Sequence, residues 1–260
     1  MLQDKITFIT GASAGIGAAC AEAFAAAGSH LLLAARRGDR IAATAERLSA
    51  THGVRSHTIA LDVRDRNAVE AALTDLPPQW RDIDILVNNA GLSRGLEPVH
   101  EGDATDWEEM IDTNIKGLLW VTRTVMKGMV ARDRGHIINI GSISGRQVYA
   151  GGAVYCATKF AVRALNQGLR LDLTGTRVRC SAVDPGMVQT EFSEVRFHGD
   201  KDRAEQVYQA YPPLQAADVA ETVLFCATRP PHVNIQELLV MPQDQAAVYA
   251  SHPRGLDEPI

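Results

Sequence analysis

The feature that most narrows the fold of this chain is a glycine-rich loop between a short strand and a helix. Lys5 to Thr10 is β-branched and apolar, which favours a strand, and an alanine-rich segment to about Ala27 favours a helix. Between them lie Gly11, Gly15 and Gly17, in the spacing Gly-x-x-x-Gly-x-Gly. This context predicts a phosphate site, because glycines admit a pyrophosphate to the backbone and the helix N-terminus supplies free N–H groups. A plain turn is the alternative for an isolated loop of this kind.

Strand-like and helix-like segments alternate along the rest of the chain. Further strands are expected at His30 to Ala35, Val54 to Ala60, Ile83 to Val87, His136 to Ile140, Val178 to Val183 and Ile235 to Met241. Helices are expected at Asp39 to Ala50, Arg66 to Leu73, Asp106 to about Arg132, from Val154 onward, and at Asp218 to Thr228. The alternation predicts one α/β domain over 1–250, a Rossmann-type doubly wound parallel sheet of about seven strands with helices on both faces. We expect a substrate flap at about 190–213 and a polar tail over 251–260.

The composition excludes several classes of protein. A net charge of −5 over 260 residues gives no basic face for nucleic acid. The four cysteines show no Cys-x-x-Cys pair and the eight histidines no His-Glu-x-x-His pattern, so neither a disulfide framework nor a metal site is expected. No apolar run is long enough to span a bilayer, and the N-terminus enters a strand without a signal-peptide pattern. We therefore expect a cytoplasmic protein without a nucleic-acid or membrane partner.

The stretch from Ser142 to Lys159 carries groups suited to proton transfer. Tyr155 and Lys159 are four residues apart on a predicted helix and share a face. An ammonium near a phenol favours the phenolate, so we expect Lys159 to lower the pKa of Tyr155 and make it a general acid or base. Ser142, at a strand end, could hold a substrate oxygen against the tyrosine. Taken alone, the Tyr–Lys spacing is also common on exposed helical faces.

The tip of the second predicted strand favours a phosphorylated dinucleotide. Sites for NAD usually place an acid about 20 residues beyond the glycine loop to bind the ribose 2′-hydroxyl, whereas arginine accommodates a 2′-phosphate. Here the tip reads Ala35-Arg36-Arg37, with no acid. Arg36, with Arg37 beside it and Ser13 in the loop, therefore predicts NADP(H) as the cofactor. Two solvated surface arginines are the alternative.

Other strand ends carry polar groups and small residues. Asp62 is a candidate acceptor for an adenine amino group, although an acid at a helix N-terminus would look the same. The Asn88-Asn89-Ala90-Gly91 segment offers amides to backbone groups and leaves room for a cofactor. Asn114 is mildly unfavourable inside a helix, which indicates a local function such as a kink with a bound water. Pro185-Gly186 is a turn on the side where a doubly wound sheet binds its cofactor.

The chain resembles the short-chain dehydrogenase/reductase family, of the large Rossmann-fold kind, over about residues 5–242. The motifs that carry this resemblance occur in order and are Thr10 to Gly17, Asn88 to Gly91, Asn114, Ser142, Tyr155-x-x-x-Lys159 and Pro185-Gly186. The resemblance implies a catalytic tetrad of Asn114, Ser142, Tyr155 and Lys159. Tyr155 would protonate a carbonyl while NADPH delivers hydride, Ser142 would orient the oxygen, and Lys159 would bind the nicotinamide ribose. Asn114 would hold a proton-relaying water.

The loop pattern and the resemblance together imply a set of cofactor-binding positions. These are Gly11, Ser13, Gly15, Ile16, Gly17, Arg36, Arg37, Asp62, Val63, Asn89, Ala90, Gly91, Tyr155, Lys159, Pro185, Gly186, Val188 and Thr190.

A finer resemblance bears on the substrate. It is carried by Gly145-Arg146, Tyr149-Ala-Gly-Gly, Thr190-Glu-Phe-Ser, Val195-Arg-Phe and His232-Val-Asn-Ile. These segments are similar to the NADP-dependent 3-hydroxy acid dehydrogenase branch (serine or allo-threonine), which also resembles sulfoacetaldehyde reductases. The implied substrate is a small anionic aldehyde or alcohol, bound by Ser142, Tyr149 and Tyr155 with Arg146 or Arg196 on its anionic head. Arg94 departs from the small or apolar residue expected there and leaves carboxylate specificity open.

Other readings stay open at the level of sequence. A catalytically silent NADP-sensing protein could keep the fold, although it would not need the Tyr155 phenol. A reductase of bulkier ketones or alcohols is a second alternative. Apolar positions on more than one face of the helices near 106–130 and 154–173 predict a homodimer or homotetramer.

Overall fold

A seven-stranded parallel sheet forms the central layer of the fold in the computed structural model, which describes residues 2–252. The strands are β1 Ile6–Thr10, β2 His30–Ala35, β3 Ser56–Ala60, β4 Ile85–Asn88, β5 Gly135–Ile140, β6 Val178–Pro185, β7 Val188–Gln189, β8 Leu214–Gln215, β9 Glu237–Val240, β10 Gln245–Ala247 and β11 Ala250–Ser251. The central sheet has the order β3-β2-β1-β4-β5-β6-β9, with every neighbouring pair parallel. The order reverses direction after β1, which creates a crevice at the carboxyl ends of β1 and β4.

Helices cover both faces of this sheet, as the sequence predicts. They are α1 Gly15–Ala26, α2 Gly38–His52, α3 Arg66–Thr74, α4 Ala104–Ile111, α5 Leu118–Ala131, α6 Ala153–Asp172, α7 Phe192–Arg196, α8 Lys201–Gln206 and α9 Ala216–Ala227. On one face α1, α2 and α9 share a core with the sheet, and on the other α3, α5 and α6 do. Strands β1 and β2 are buried along their whole length, because each is covered on both sides.

The predicted long helix from Asp106 to Arg132 is two helices with a wide turn between them. α4 and α5 are joined by a π-helical turn at Asp112–Gly117, which contains Asn114. The Asn114 side chain bonds to the backbone of Leu92 in both directions, with Oδ1 accepting from the Leu92 N–H (2.9 Å) and Nδ2 donating to its carbonyl (2.8 Å). π-turns inside helices often occur at functional sites. The local irregularity expected at Asn114 is thus a π-helical turn held by its bonds to Leu92.

The segment predicted to be a flap has its own small structure. It contains α7 and α8 and is closed at its base by β7 and β8, which pair in parallel with Val188 opposite Leu214. After β9, β10 and β11 form an antiparallel hairpin. Of the predicted polar tail at 251–260, Ser251 belongs to β11, and positions 253–260 lie outside the described residues. Within the described chain, no helix combines the length and apolarity that a bilayer crossing requires.

Candidate active site

One cavity of ≈ 370 Å³ lies at the carboxyl ends of the central strands. Its walls come from the glycine loop, the strand tips, the helix α6 and the flap. The predicted cofactor positions that line it are Gly11, Ser13, Gly15, Ile16, Arg36, Arg37, Asp62, Val63, Asn89, Ala90, Gly91, Tyr155, Lys159, Pro185, Gly186, Val188 and Thr190. Among the predicted cofactor positions, Gly17 alone does not contribute to the lining. The fold thus brings together residues that are up to 179 positions apart in the sequence, from Gly11 to Thr190.

Gly17 packs closely against the backbone of the glycine loop. A Cβ at this position would overlap the Gly11 carbonyl oxygen and lie 2.5 Å from the Asn89 Nδ2. That Nδ2 donates to the carbonyls of Thr10 (3.0 Å) and Gly11 (3.2 Å), as expected for an amide that satisfies backbone groups at a crossover. Gly17 is therefore required for the close packing of α1 under the loop.

Gly17→Ala is expected to weaken NADPH binding by about tenfold or more, because the added methyl group must displace either the Gly11 carbonyl or the Asn89 amide. Fluorescence titration of NADPH measures the effect. Gly168→Ala is a matched control, since Gly168 lies in α6 with open space around the corresponding Cβ position. Equal NADPH affinities in the two variants would contradict the packing argument.

The predicted 2′-phosphate side of the cavity contains a network of charges. Arg37 donates to the Ser13 hydroxyl through Nε (3.1 Å) and Nη2 (3.0 Å). Its Nη1 pairs with Glu191 of the flap at 2.8 Å, and Arg40 pairs with the other oxygen of Glu191 at 2.7 Å. These guanidiniums lower the pKa of Glu191 although partial burial opposes the change. Ser13 and Arg37 thus form a basic, hydrogen-bonding corner, as a phosphate site requires.

Arg36 also lines the cavity but pairs with a different acid. Its Nη1 lies 3.5 Å from Glu109 of α4, and its side chain is 54% exposed, which leaves most of its donors available. Asp62, the candidate adenine acceptor, also lines the cavity, but both of its carboxylate oxygens already accept from Arg64. Burial raises the pKa of Asp62, and the Arg64 bonds outweigh it and lower the pKa overall. Asp62 is therefore a carboxylate of the cavity wall that is held in place by Arg64.

Three members of the predicted tetrad, Ser142, Tyr155 and Lys159, line this same cavity, and Asn114 lies just outside its lining. Ser142 opposes the rise that burial causes in the pKa of Tyr155. A Cβ at Gly91 would lie 3.2 Å from Asn114 Oδ1 and 3.7 Å from Lys159 Nζ, which places the amide and the ammonium beside the same glycine. All four side chains are buried, with exposures between 2% and 8%, so their polar groups are oriented by the protein rather than by solvent.

Burial, and not the nearby ammonium, dominates the ionisation of Tyr155. In the structure burial raises the pKa of Tyr155 above its usual range, and the Arg196 guanidinium and the hydrogen bond with Ser142 oppose this rise. Lys159 Nζ lies 6.0 Å from the ring centre and donates to the Ile140 carbonyl (3.0 Å). The expectation that Lys159 lowers the pKa of Tyr155 is therefore corrected. The phenol is kept protonated, and the cation that moderates its pKa is Arg196.

The candidate Arg146 and the unexpected Arg94 are both paired with carboxylates. Arg146 lies outside the cavity lining and pairs with Asp184 (2.9 Å) and Glu237 (2.6 Å), so the prediction that it binds substrate is corrected. Arg94 pairs with Glu109 at 2.7 Å and also donates to the Val195 carbonyl, which ties the strand end to α7 of the flap. Neither guanidinium is free for a substrate carboxylate.

Arg196 has a different environment. Its guanidinium carbon lies 5.1 Å from the ring centre of Phe192, 5.5 Å from that of Tyr155 and 5.9 Å from that of Tyr149. Its Nη2 donates to the Tyr149 hydroxyl (3.0 Å), while its buried Nε has no hydrogen-bond partner in the structure. Arg196 and Tyr149 do not themselves line the main cavity, but Arg196 contacts Tyr155 and Phe192, which do. A cation with an unused buried donor therefore lies next to the phenol.

Two residues that line the cavity, and one acid that pairs with the lining residue Arg36, have no role predicted from the sequence. Glu191 and Phe192 line the cavity, and Phe192 packs edge-on against Tyr155 with ring centres 5.6 Å apart. Glu109 contacts Arg36, Arg64 and Arg94 from α4. Both acids are distant in sequence from their partners, so no local spacing could reveal them. The position of Glu191 directly after Thr190 was the one available signal.

These features are those of a dinucleotide-binding α/β fold whose cavity gathers Ser142, Tyr155 and Lys159. The model of the short chain dehydrogenase family matches residues 5–201, and the chain belongs to this family.

Individual relatives narrow the class further. The chain is 49% identical over 242 residues to "NADP-dependent 3-hydroxy acid dehydrogenase YdfG" of Salmonella typhi, covering 93% of this chain and 96% of that protein. It is 46% identical over 245 residues to "Sulfoacetaldehyde reductase 2" of Chromohalobacter salexigens, covering 94% and 96%. The solved structure described as the closed form of serine dehydrogenase complexed with NADP+ superposes with a TM-score of 0.89 at 47% identity, covering 96% of this chain and 99% of that one. The protein is an NADP-dependent oxidoreductase, and the basic corner at Ser13 and Arg37 fits that cofactor.

Proposed function

We propose that the protein interconverts a short 3-hydroxy acid and its carbonyl form, with NADP(H) as the redox partner. The observation that carries this proposal is the environment of Arg196: a guanidinium without a carboxylate partner among residues 2–252, enclosed by aromatic rings, with a buried Nε that lacks an acceptor. Such a group is suited to a carboxylate, because charge-assisted hydrogen bonds to guanidinium are strong and directional. The similarity to 3-hydroxy acid and serine dehydrogenases supports the same substrate class.

The proposed roles of the tetrad follow from its geometry. Bound NADPH supplies the hydride. Tyr155, protonated because it is buried, donates its proton to the substrate carbonyl oxygen, and the Ser142 hydroxyl holds that oxygen in line with the phenol. The Lys159 ammonium, fixed by the Ile140 carbonyl, faces the cavity and retains donors for the ribose hydroxyls. The Asn114 side chain keeps the π-turn open next to Lys159.

Arg196→Gln tests the proposed anion contact. We expect kcat/KM for 3-hydroxypropionate and serine to fall by roughly 10- to 150-fold, the loss of one hydrogen-bonded charge pair. Activity on a neutral alcohol of the same chain length should change by less than about threefold, since that substrate offers no charge to the guanidinium. Steady-state kinetics with both substrates give the ratio that decides the question.

A matched control for this variant lies in the same flap. Arg203 of α8 also stacks on an aromatic ring, with its guanidinium carbon 4.2 Å from the centre of Phe197, but Phe197 does not line the cavity, whereas the rings of Tyr155 and Phe192 beside Arg196 do. Arg203→Gln should leave the ratio of acidic to neutral activity unchanged. An equal loss on acidic and neutral substrates in Arg196→Gln would contradict the anion contact and assign Arg196 to flap structure.

Sulfoacetaldehyde reduction is the second candidate, because a sulfonate accepts the same hydrogen bonds as a carboxylate and a relative carries that name. A panel of serine, 3-hydroxypropionate, 3-hydroxyisobutyrate, isethionate and sulfoacetaldehyde, each with phosphorylated and unphosphorylated cofactor, separates the two. The proposal expects the highest kcat/KM for a carboxylate. The relatives' dehydrogenase and reductase names give no support to a catalytically silent sensor.

We also propose a homodimer or homotetramer. The outer faces of α4 and α6 carry the half-exposed apolar side chains of Ile111 (37%) and Phe160 (41%), which could pair across a two-fold axis. Light scattering of the purified protein gives the assembly mass.

A further inference from the structure

A buried carboxylate lies directly behind the strand end that holds Lys159. Asp184, at the end of β6, is 2% exposed and does not line the cavity. Gly141 separates it from the site, and the fit is so close that a Cβ at Gly141 would collide with Asp184 Oδ1. The residue before Gly141 is Ile140, whose carbonyl accepts from Lys159 Nζ at 3.0 Å. The ammonium and the carboxylate thus flank the same short piece of β5.

Asp184 is in turn held by Arg146. Two guanidinium nitrogens of Arg146 contact Asp184 Oδ2, Nε at 2.9 Å and Nη2 at 2.8 Å, and Nη2 also contacts Glu237 Oε2 at 2.6 Å. A buried carboxylate with such a partner is kept ionised, because protonation would leave the guanidinium contacts without their negative charge. Burial raises the pKa of Asp184 above its usual value and the Glu237 carboxylate adds to the rise, while Arg146 and Lys159 oppose it.

Lys159 needs such a counter-charge. Burial lowers the pKa of Lys159 to about 8, and Asp184 is the charged group that counteracts this. The other groups that face Lys159 are the Tyr155 phenol from its own helix, the Asn114 amide from the π-turn and the Ile140 carbonyl, and all three are neutral when Tyr155 is protonated. Among the described residues, Asp184 is therefore the anion that favours the charged form of Lys159.

We propose that Asp184, kept ionised by Arg146, is a positioning residue that holds Lys159 in its ammonium form at neutral pH. This gives Arg146 an indirect role through Asp184, in place of the substrate contact predicted from the sequence. The inference rests on the proposed contact between Lys159 and NADPH, but it is independent of which substrate the enzyme uses.

The test is the pH dependence of NADPH binding without substrate, followed by fluorescence titration from neutral to alkaline pH. In the wild type the affinity should fall as the pH rises through about 8, where the Lys159 ammonium is lost. In Asp184→Asn the fall should begin at least about one pH unit lower, because an opposite charge nearby accounts for a shift of that size. Arg146→Gln should shift the fall in the same direction, since Asp184 would then become neutral more readily. It also serves as the readout if Asp184→Asn does not fold.

Glu237→Gln is the matched control, since it removes the other carboxylate that contacts Arg146 and leaves Asp184 in place. Its pH dependence should match the wild type. A fall that stays near pH 8 in both Asp184→Asn and Arg146→Gln, or that moves as far in Glu237→Gln, overturns the inference. If the fall shifted in Asp184→Asn but not in Arg146→Gln, the role of Asp184 would stand and the role of Arg146 in keeping it ionised would be overturned. A wild-type affinity that is constant across the range would overturn the Lys159 contact itself, whatever the substrate panel shows.

Discussion

Tyr155→Phe is expected to lower kcat for carbonyl reduction by about 10²- to 10⁴-fold, the usual contribution of a positioned general acid. The ring contacts should survive, because phenylalanine keeps the edge-on packing against Phe192 at 5.6 Å. NADPH affinity should therefore change little, and the loss should appear in kcat rather than in cofactor binding. Single-turnover kinetics with NADPH and a 3-oxo acid measure the chemical step directly.

Tyr149→Phe is the control for this variant. It removes a phenol from the same aromatic group and breaks the 3.0 Å bond to Arg196, but it leaves the proposed acid in place. It should raise KM for an acidic substrate and preserve most of kcat. If Tyr155→Phe retained wild-type turnover, the phenol would not be the acid.

The direction of the pKa shift at Tyr155 gives these kinetics a pH dependence. Burial raises this pKa, so the phenol stays protonated through neutral and mildly alkaline pH. Reduction, which needs the protonated form, should lose rate only as the pH rises through that raised pKa. Oxidation needs the phenolate and should therefore increase with pH over the same range. If reduction and oxidation both slowed as the pH rose, another group, such as the Lys159 ammonium, would be the one that is lost.

Arg36→Asp is expected to change the ratio of kcat/KM for NADP+ to that for NAD+ by on the order of 100-fold or more in favour of NAD+. The substitution removes a donor from the cavity wall and places a negative charge near the 2′-phosphate, while offering an acceptor to a ribose hydroxyl. Steady-state kinetics with both cofactors at a fixed alcohol concentration give the ratio. An unchanged ratio would refute the assignment of Arg36 to the 2′-phosphate.

Arg40→Gln separates phosphate binding from flap anchoring. Arg40 and Arg37 both pair with Glu191, but Arg37 lines the cavity and Arg40 does not. Arg40→Gln should leave the cofactor ratio unchanged, while Arg37→Gln should lower it by roughly 10- to 150-fold. Similar ratios in the two variants would indicate that Glu191, rather than the phosphate, is the main partner of Arg37.

The sequence was sufficient to predict the parts of the fold that depend on short-range patterns. The alternation of strands and helices, the glycine loop and the strand-end motifs follow from periodicity and spacing, and the structure confirms the seven-stranded sheet with helices on both faces. The gathering of the predicted cofactor positions around one cavity also follows, because parallel strands deliver their carboxyl ends to one edge.

What could not be predicted depends on partners that are distant in the chain. No local sequence pattern distinguishes Arg146 from Arg196. In the fold, Arg146 pairs with Asp184 and Glu237, whereas Arg196 packs against aromatic rings. The pKa of Tyr155 was assigned the wrong direction because i,i+4 spacing specifies a shared face but neither burial nor the direction of the ammonium. Glu191 reaches Arg37 across 154 positions, a contact that only the folded flap creates.

The π-turn at Asp112–Gly117 makes the site sensitive to chain length as well as to side-chain identity. A π-turn contains one residue more per hydrogen-bonded loop than an α-turn, and each residue of an α-helix adds about 100° of rotation. The wider turn takes up the rotation of that extra residue, so deleting one residue here would let α4 and α5 merge into one continuous helix with little change in their relative orientation. Trp107 and Met110 would keep their places near Tyr155. The deletion would instead remove the wide turn from which Asn114 bonds to the Leu92 backbone, so a change in chain length would reach the site through Asn114.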